Sequence, residues 1–147
     1  MTDRFTPEER SRVMSRVKGH DTEPERIVRK IVHRMGYRFR LHDKSLPGKP
    51  DIVLSRHKKV IFIHGCFWHG HKGCHKATRP VSNVEFWNRK LDGNMRRDAK
   101  VQRELKSLNW KSLTVWQCQT RDVAVLQKRL ERFLTTEKEM AETNGSA

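Results

Sequence analysis

Two short strands, predicted at residues 51–54 and 60–63, are the part of the sequence that most constrains the fold. Apart from Asp51, both are continuously apolar, which is typical of central strands that are buried on both faces. Residues 56–59 between them have the composition of a turn, so we expect the two strands to pair antiparallel. Asp51, at the start of one strand, and His64, at the end of the other, would then lie side by side.

The segments around these strands alternate between helical and extended patterns. Capping motifs and helical spacing of apolar residues predict helices at about 7–18, 23–35, 85–108 and 123–134, with a break near Gly93 in the third. Further strands are predicted at 37–41 and 110–118, and residues 64–84 are irregular. This order predicts an α/β fold in which a small mixed β-sheet is flanked by helices. Residues 1–136 are expected to form one domain, followed by a polar, disordered tail at 137–147.

The chain is strongly basic, because 32 Lys and Arg residues against 17 Asp and Glu residues give a formal net charge of +15. The charge is spread along the chain, which favours a basic folded face and a polyanionic partner, most simply nucleic acid. An inert basic surface is the alternative. No apolar run reaches the length of a membrane span, and the first residues lack a signal-peptide pattern. These features predict a cytoplasmic protein that makes no membrane contact.

Residues 60–75 contain four histidines and two cysteines directly after an apolar strand. Three thiols and one imidazole match the ligand set of a structural zinc site, with the candidates Cys66, His71, Cys74 and Cys118. His69 and His75 are alternative ligands. The competing interpretation is that these are ordinary buried thiols and surface histidines. A zinc ion with four protein ligands leaves no position for water, so it would be structural rather than catalytic.

Asp51 and His64 form a second candidate site at the ends of the two apolar strands. A carboxylate there suits Mg²⁺, and a neighbouring histidine can activate an attacking water. A turn or capping role is the alternative for Asp51. Phe67 and Trp68 flank the candidate zinc ligands in a polar loop, and Trp87 opens the next helical region and can join them. They are either core anchors or, in a basic protein, a wedge that enters between base steps of DNA.

Several motifs together resemble the very-short-patch-repair (Vsr) mismatch endonucleases. They lie at residues 21–25, 46–51, 60–69, 85–87 and 115–118, and the resemblance extends from about Arg10 to Leu134. It implies a restriction-endonuclease-like core of the PD-(D/E)xK type with a structural zinc site. It also implies an enzyme that uses Mg²⁺ to nick DNA at T·G mismatches, which arise from deaminated 5-methylcytosine, and that leaves a 5′-phosphate.

The resemblance assigns the catalytic roles residue by residue. Asp51 resembles the family's magnesium-binding carboxylate, and the backbone carbonyl of Ile63 resembles a second magnesium ligand, at a position where the family usually has Thr. Four further residues resemble the remaining catalytic groups: the two histidines His64 and His69, the acid Asp98 that orients His69, and the acid Glu25 that acts through metal-bound water.

The resemblance also implies contacts with DNA. Phe67, Trp68 and Trp87 resemble the aromatics that intercalate beside the mismatch. Lys90 and Asn94 fall where the family contacts the mismatched bases. Met14 lies on an N-terminal helix, at about 7–18, that closes over the DNA. The expected partner is double-stranded DNA with a T·G mismatch, bound by a monomer in the cytoplasm at the nucleoid, and mismatch-repair proteins are candidate partners.

One departure from the family pattern lies in the zinc loop, where Lys72 and Gly73 both stand between His71 and Cys74. The family typically has a single residue there, which keeps His75 open as an alternative to His71. Two other functions stay open as well. One is a nicking or restriction-type endonuclease without mismatch specificity, and the other is a zinc-stabilised DNA-binding module without catalysis.

Overall fold

The computed structural model describes residues 22–145 of the chain. The predicted first helix at about 7–18, with Met14 on it, lies outside the described residues. Three helices follow one another along the chain: α1 (Glu23–Arg34), α2 (Val84–Ser107) and α3 (Val123–Gly145). The described residues also form four strands: β1 (Arg40–Leu41), β2 (Ile52–Leu54), β3 (Lys59–His64) and β4 (Lys111–Trp116). The first three lie between α1 and α2, and β4 lies between α2 and α3. Short 3₁₀ turns occupy Ser55–His57, His75–Ala77 and Gln117–Arg121.

The four strands form one mixed sheet in the order β1-β2-β3-β4. The predicted hairpin is confirmed, because β2 and β3 pair antiparallel with Ile52 opposite Ile61. β3 pairs parallel with β4, so that His64 lies opposite Trp116 at the carboxyl ends of both strands. This parallel pairing brings the loop after β3 and the turn after β4 to the same edge of the sheet.

Alternate residues of the central strands enter two separate cores, as expected for strands buried on both faces. Ile52 and Ile61 face the core that contains the apolar stripes of α1 and α3. Val53 and Val60 face the second core, to which Leu105 of α2 contributes. The result is a three-layer α/β arrangement with α1 and α3 on one face of the sheet and α2 on the other, which confirms the predicted mixed sheet between helices.

The strand predicted at 37–41 is wrong in length, because only Arg40–Leu41 pairs with β2. Tyr37 and Phe39 instead pack against the first core as partly buried residues. The strand ends after Leu41 because His42 has a positive φ of 50°. A residue in the left-handed region cannot continue a β-strand, whose φ is near −120° to −140°.

The predicted break near Gly93 is also wrong, since α2 runs without interruption from Val84 to Ser107. Trp87, Leu91 and Leu105 are buried along the helix and anchor it on both sides of Gly93. Their packing outweighs the cost of a mid-helix glycine, which is about 1 kcal/mol.

The last helix continues beyond Thr136, through residues that include the good helix formers Lys138, Glu139 and Ala141. It is longer than the helix predicted at 123–134. The division into one domain at 1–136 and a tail at 137–147 stays a prediction. Within residues 22–145, none of the helices has the length and apolar character needed to cross a membrane.

Candidate active site

A cleft of about 630 Å³ opens at the edge of the sheet where β3 ends. Its lining residues come from α1, the loop before β2, the end of β3, the loop that follows β3, α2, and the turn after β4. The cleft brings together all of the residues to which the resemblance assigns catalytic roles: Glu25, Asp51, Ile63, His64, His69 and Asp98. Residues that are up to 73 positions apart in the sequence therefore line one site.

Asp51 stands immediately before β2, and its carboxylate turns towards the neighbouring strand. Its Oδ2 accepts a hydrogen bond of 2.7 Å from the backbone N–H of Ile63 in β3. Burial raises the pKa of Asp51 to about 7, against the opposing effect of that hydrogen bond, and the nearby carboxylate of Glu25 raises it further. Two carboxylates placed this close together repel each other when both are charged.

Glu25 is the second carboxylate, and only 3% of its surface is exposed although it lies in the first turn of α1. Its Oε2 accepts a 2.8 Å hydrogen bond from the guanidinium of Arg29, one helical turn later. The paired oxygen donors of Glu25 and Asp51 fit a hard divalent cation such as Mg²⁺, because its charge would offset their repulsion. The structure places the N–H of Ile63 against Asp51, and the metal-binding role of its carbonyl stays a prediction.

The second half of the cleft is a stacked pair of imidazoles. The rings of His64 and His69 lie 3.8 Å apart between centroids, with an angle of 8° between their planes. Nδ1 of His69 is 2.7 Å from Oδ2 of Asp98 in α2. Burial, followed by the charge of His69, lowers the pKa of His64 to about 4. His64 is therefore neutral at pH 7, while Asp98 holds His69 in one orientation.

The aromatic residues Phe67, Trp68 and Trp87 contact one another beside the cleft, with ring centroids 5.2–6.0 Å apart. Phe67 and Trp68 are partly exposed, whereas Trp87 is only 5% exposed and packs behind them. For Trp87 to intercalate, Phe67 and Trp68 would therefore have to move away from its ring. The ring of Phe86, next to Trp87, is 57% exposed. Phe86 lies in the first turn of α2, as Trp87 does, but sequence reasoning did not single it out.

The two residues predicted at the mismatched bases both contact Trp68. The Nδ2 group of Asn94 donates a 3.0 Å hydrogen bond to the carbonyl oxygen of Trp68. The Nζ atom of Lys90 lies 5.9 Å from the centre of the Trp68 ring, within the range of a cation–π contact. Both residues lie on α2, so this helix anchors the loop that carries Phe67 and Trp68.

A separate cluster of thiols and one imidazole lies behind the loop that carries Phe67 and Trp68. The ligand atoms of its four members lie within 4.8 Å of one another: Cys66, His71, Cys74 and Cys118. These are the four residues predicted from the sequence. Nδ1 of His71 is 3.4 Å from Sγ of Cys118, and the His71 ring stacks on Trp116. His75 does not belong to the cluster.

The chemistry of this cluster suits zinc. Burial, together with the neighbouring thiols of Cys66 and Cys74, raises the pKa of Cys118 to about 11. Three thiolates held this close together need a cation to balance their charge, and a tetrahedral Zn²⁺ binds such a set. The extra residue in the loop is accommodated at Gly73, whose φ of +75° favours glycine.

His42 lies beside the two carboxylates, and sequence reasoning missed it. Its ring nitrogens lie 3.5 Å from Oε2 of Glu25 and 3.8 Å from Oδ1 of Asp51. The three side chains form a further group of potential metal ligands. No motif or spacing in the sequence singles out His42.

Comparison with known proteins agrees with this arrangement. Residues 2–76 match the family model described as DNA mismatch endonuclease Vsr. The chain is 45% identical over 134 residues to Type II nicking enzyme V.XorIIP of Xanthomonas oryzae pv. oryzae, covering 91% of this chain and 98% of that protein. It is 46% identical over 134 residues to Type II nicking enzyme V.NmeAIP of Neisseria meningitidis serogroup A, covering 91% and 95%.

A third relative carries a different name. The protein called DNA mismatch endonuclease Vsr in Escherichia coli (strain K12) is 37% identical over 143 residues, covering 93% of this chain and 90% of that protein. The three alignments include both halves of the cleft, from the carboxylates near the start of the sheet to the acid on α2.

Proposed function

Because the chain belongs to the DNA mismatch endonuclease Vsr family, we propose that it nicks one strand of duplex DNA at T·G mismatches. As a member of this family the chain is an endonuclease that cleaves phosphodiester bonds. The proposal adds the substrate, the metal and the product: a T·G pair from deaminated 5-methylcytosine, Mg²⁺, and a nick with a 5′-phosphate. Such a nick would start very short patch repair.

One observation carries the proposal, namely that a single cleft joins a buried pair of carboxylates to a pair of stacked histidines backed by an acid. Asp51 and the backbone carbonyl of Ile63 would hold Mg²⁺, and Glu25 would act through water bound to the ion. When bound, the ion supplies positive charge that stabilises the charge developing on the phosphate and on the leaving oxygen.

His69 is the group best placed to take the proton of the attacking water. Asp98 accepts the hydrogen of Nδ1, which leaves the lone pair of the ring on Nε2 and stabilises the imidazolium that forms. The bond from water oxygen to phosphorus forms while the bond from phosphorus to O3′ breaks, and O3′ takes a proton from solvent. His64 is neutral, so it can donate a hydrogen bond to the phosphate without competing for that proton.

The basic charge and the aromatic side chains beside the cleft account for DNA binding in this proposal. A net charge of +15 attracts the phosphate backbone. Phe67 and Trp68 are partly exposed and enter between base steps beside the mismatch, with Trp87 behind them. A mismatched pair costs less to distort than a Watson–Crick pair, so this wedge favours mismatched sites. Lys90 and Asn94 contact the mismatched bases, and Met14 contributes from the N-terminal helix.

Zn²⁺ bound by Cys66, His71, Cys74 and Cys118 has a structural role in this proposal. It holds the loop that carries Phe67 and Trp68 at a fixed distance from the end of β3. The sheet and its flanking helices then correspond to a PD-(D/E)xK-type core. We further propose that the enzyme acts as a monomer on cytoplasmic, nucleoid DNA, and mismatch-repair proteins remain candidate partners.

The experiment that tests this proposal compares two duplexes that differ only in one T·G or T·A pair. The protein is incubated with each duplex and Mg²⁺, and each strand is labelled separately. We expect one strand of the T·G duplex to be nicked, and DNA ligase to reseal the nick, since ligation requires a 5′-phosphate and a 3′-hydroxyl. Binding of the T·G duplex without cleavage in Mg²⁺ would contradict the proposal.

A second candidate function is a nicking endonuclease without mismatch specificity. Two of the relatives favour this function, because they are named Type II nicking enzymes. Equal cleavage of the T·G and T·A duplexes would support this function instead. A DNA-binding module without catalysis is no longer favoured, because it offers no reason for Asp51, His69 and Asp98 to share one cleft.

A further inference from the structure

His42 combines a strained backbone with a side chain directed towards the carboxylates of Glu25 and Asp51. Its φ of 50° lies in the left-handed region, where a residue other than glycine pays about 1 kcal/mol or more. Its backbone N–H donates a 3.2 Å hydrogen bond to the carbonyl oxygen of Asp51, which holds the chain in this conformation. The side chain is 20% exposed and lies between the carboxylates of Glu25 and Asp51. Strain of this kind is most often retained at functional positions.

Arg29 determines which nitrogen of the His42 ring carries the proton. An NH2 nitrogen of Arg29 lies 3.2 Å from Nε2 of His42 and 2.8 Å from Oε2 of Glu25. A guanidinium has donors but no acceptors, so Nε2 accepts and the ring hydrogen is on Nδ1. The 3.5 Å approach of Nε2 to Glu25 is therefore a shared contact with Arg29 rather than a direct ion pair.

The hydrogen on Nδ1 faces Asp51. Nδ1 lies 3.8 Å from Oδ1 of Asp51, which is beyond hydrogen-bond distance but within the range of electrostatic attraction. The other oxygen of the same carboxylate, Oδ2, accepts the 2.7 Å hydrogen bond from Ile63. One oxygen of Asp51 is thus fixed by β3, and the other lies near the His42 ring.

We propose that His42 is a positioning residue for the cation site, in which an Arg29–His42 pair sets the orientation of the Asp51 carboxylate relative to Glu25. Arg29 aligns both members of the site, because the same guanidinium nitrogen contacts Glu25 and the His42 ring. The proposal rests on the proposed function, which assigns a divalent cation to Asp51, with Glu25 acting through water bound to the ion. Side chains that orient a metal ligand in this way typically change metal affinity by about 10- to 100-fold when they are removed.

The test measures binding of Mn²⁺ by the full chain in the absence of DNA, from the loss of the EPR signal of aqueous Mn²⁺. His42→Gly removes the ring and relieves the positive φ, so its fold should be at least as stable as that of the wild type. His42→Asn is the matched variant. Its amide nitrogen lies as many bonds from Cα as Nδ1 of histidine, and Asn tolerates the left-handed region.

We expect His42→Gly to weaken Mn²⁺ binding by about 10-fold and His42→Asn to stay within about 3-fold of the wild type. DNA binding without Mg²⁺ or Mn²⁺ should be equal in all three proteins. Mn²⁺ affinity of His42→Gly equal to that of the wild type, or of His42→Asn as weak as that of His42→Gly, would overturn the proposal. If His42→Gly does not fold, His42→Ala takes its place in the same comparison.

The same measurement separates this proposal from the proposed function. A wild-type protein that binds Mn²⁺ but cleaves neither duplex would contradict the proposed function and leave the comparison of His42 variants valid. A wild-type protein that binds no Mn²⁺ would overturn both the cation site and the role of His42.

Discussion

The rings of His64 and His69 stack with their centroids 3.8 Å apart and their planes 8° from parallel. Two imidazolium cations cannot share this spacing without strong repulsion, so at most one ring carries a charge. Asp98, at 2.7 Å from Nδ1 of His69, holds that ring in one orientation. The buried ring of His64 has a pKa of about 4 and stays neutral. In the proposed mechanism His69 takes the proton of the attacking water and His64 contacts the phosphate.

The first prediction concerns Asp98. In Asp98→Asn the side chain keeps its shape but loses the charge that stabilises an imidazolium at His69. We expect the single-turnover nicking rate to fall by about 100-fold, with the affinity for the T·G duplex unchanged.

The control for this prediction is Asp92→Asn, on the same helix. Asp92 pairs with Arg79, away from the two histidines, so this variant should nick at the wild-type rate. If Asp98→Asn nicks as fast as Asp92→Asn, then His69 does not depend on Asp98 for catalysis.

The second prediction concerns stability and pH in the absence of Mg²⁺. Asp51 has a pKa of about 7 in the folded protein against its ordinary value of 3.8, so the folded state retains its proton to higher pH. The stability contributed by this proton is complete below about pH 4 and is lost as the pH rises through 7. Without Mg²⁺ at pH 8, Asp51→Asn should therefore raise the free energy of unfolding, by on the order of 2 kcal/mol.

Urea denaturation at pH 8 and near pH 3.5 measures this difference, which should nearly vanish at the lower pH. Asp43→Asn is the control with the opposite sign, because hydrogen bonds from Ser45 lower the pKa of Asp43. Its substitution should reduce stability at pH 8. A decrease in stability for Asp51→Asn at pH 8 without Mg²⁺ would show that the charged Asp51 carboxylate does not destabilise the fold.

The third prediction distinguishes the two candidate histidine ligands of zinc. His71→Ala should lower the zinc content measured by elemental analysis and lower the melting temperature, since a structural zinc contributes folding free energy. His75→Ala should change neither, because His75 lies outside the cluster of Cys66, His71, Cys74 and Cys118. Full zinc content in His71→Ala together with loss of zinc in His75→Ala would reverse the assignment.

The fourth prediction concerns mismatch preference. Trp68→Leu removes a stacking surface beside the cleft, and base stacking on an aromatic ring is worth about 1–3 kcal/mol. We expect the ratio of T·G to T·A nicking rates to fall by about 10-fold. Tyr37→Leu is a matched aromatic control, because Tyr37 packs against the core on the other side of the sheet. An unchanged ratio in Trp68→Leu would exclude Trp68 from mismatch selection.

The β2–β3 hairpin and the cluster of three thiols and one imidazole were predictable from the sequence for different reasons. Two apolar runs around a short turn leave few alternatives to an antiparallel pair of buried strands. The cluster includes Cys118, which is 47 residues from His71, and the residue types alone connected them. The structure adds the cause of their proximity, which is the parallel pairing of β3 with β4.

Other features could not be predicted from local patterns. The positive φ of His42 depends on its hydrogen bond to the backbone of Asp51, a contact that forms only after β2 is in place. The burial of Trp87 depends on how α2 packs against the loop that carries Phe67 and Trp68. Gly93 remains helical because buried neighbours on both sides hold α2 together. In each case tertiary packing overrides a local preference.

The central claim is that the cleft around Asp51 is the catalytic centre of a DNA endonuclease. The most direct test measures single-turnover nicking and binding of the T·G duplex in Mg²⁺ by the wild type and by Asp51→Asn in the same samples. We predict that Asp51→Asn binds the duplex with nearly wild-type affinity and nicks it about 1000-fold more slowly, because a cation ligand is lost while the DNA contacts remain. Nicking by Asp51→Asn at the wild-type rate would contradict the account.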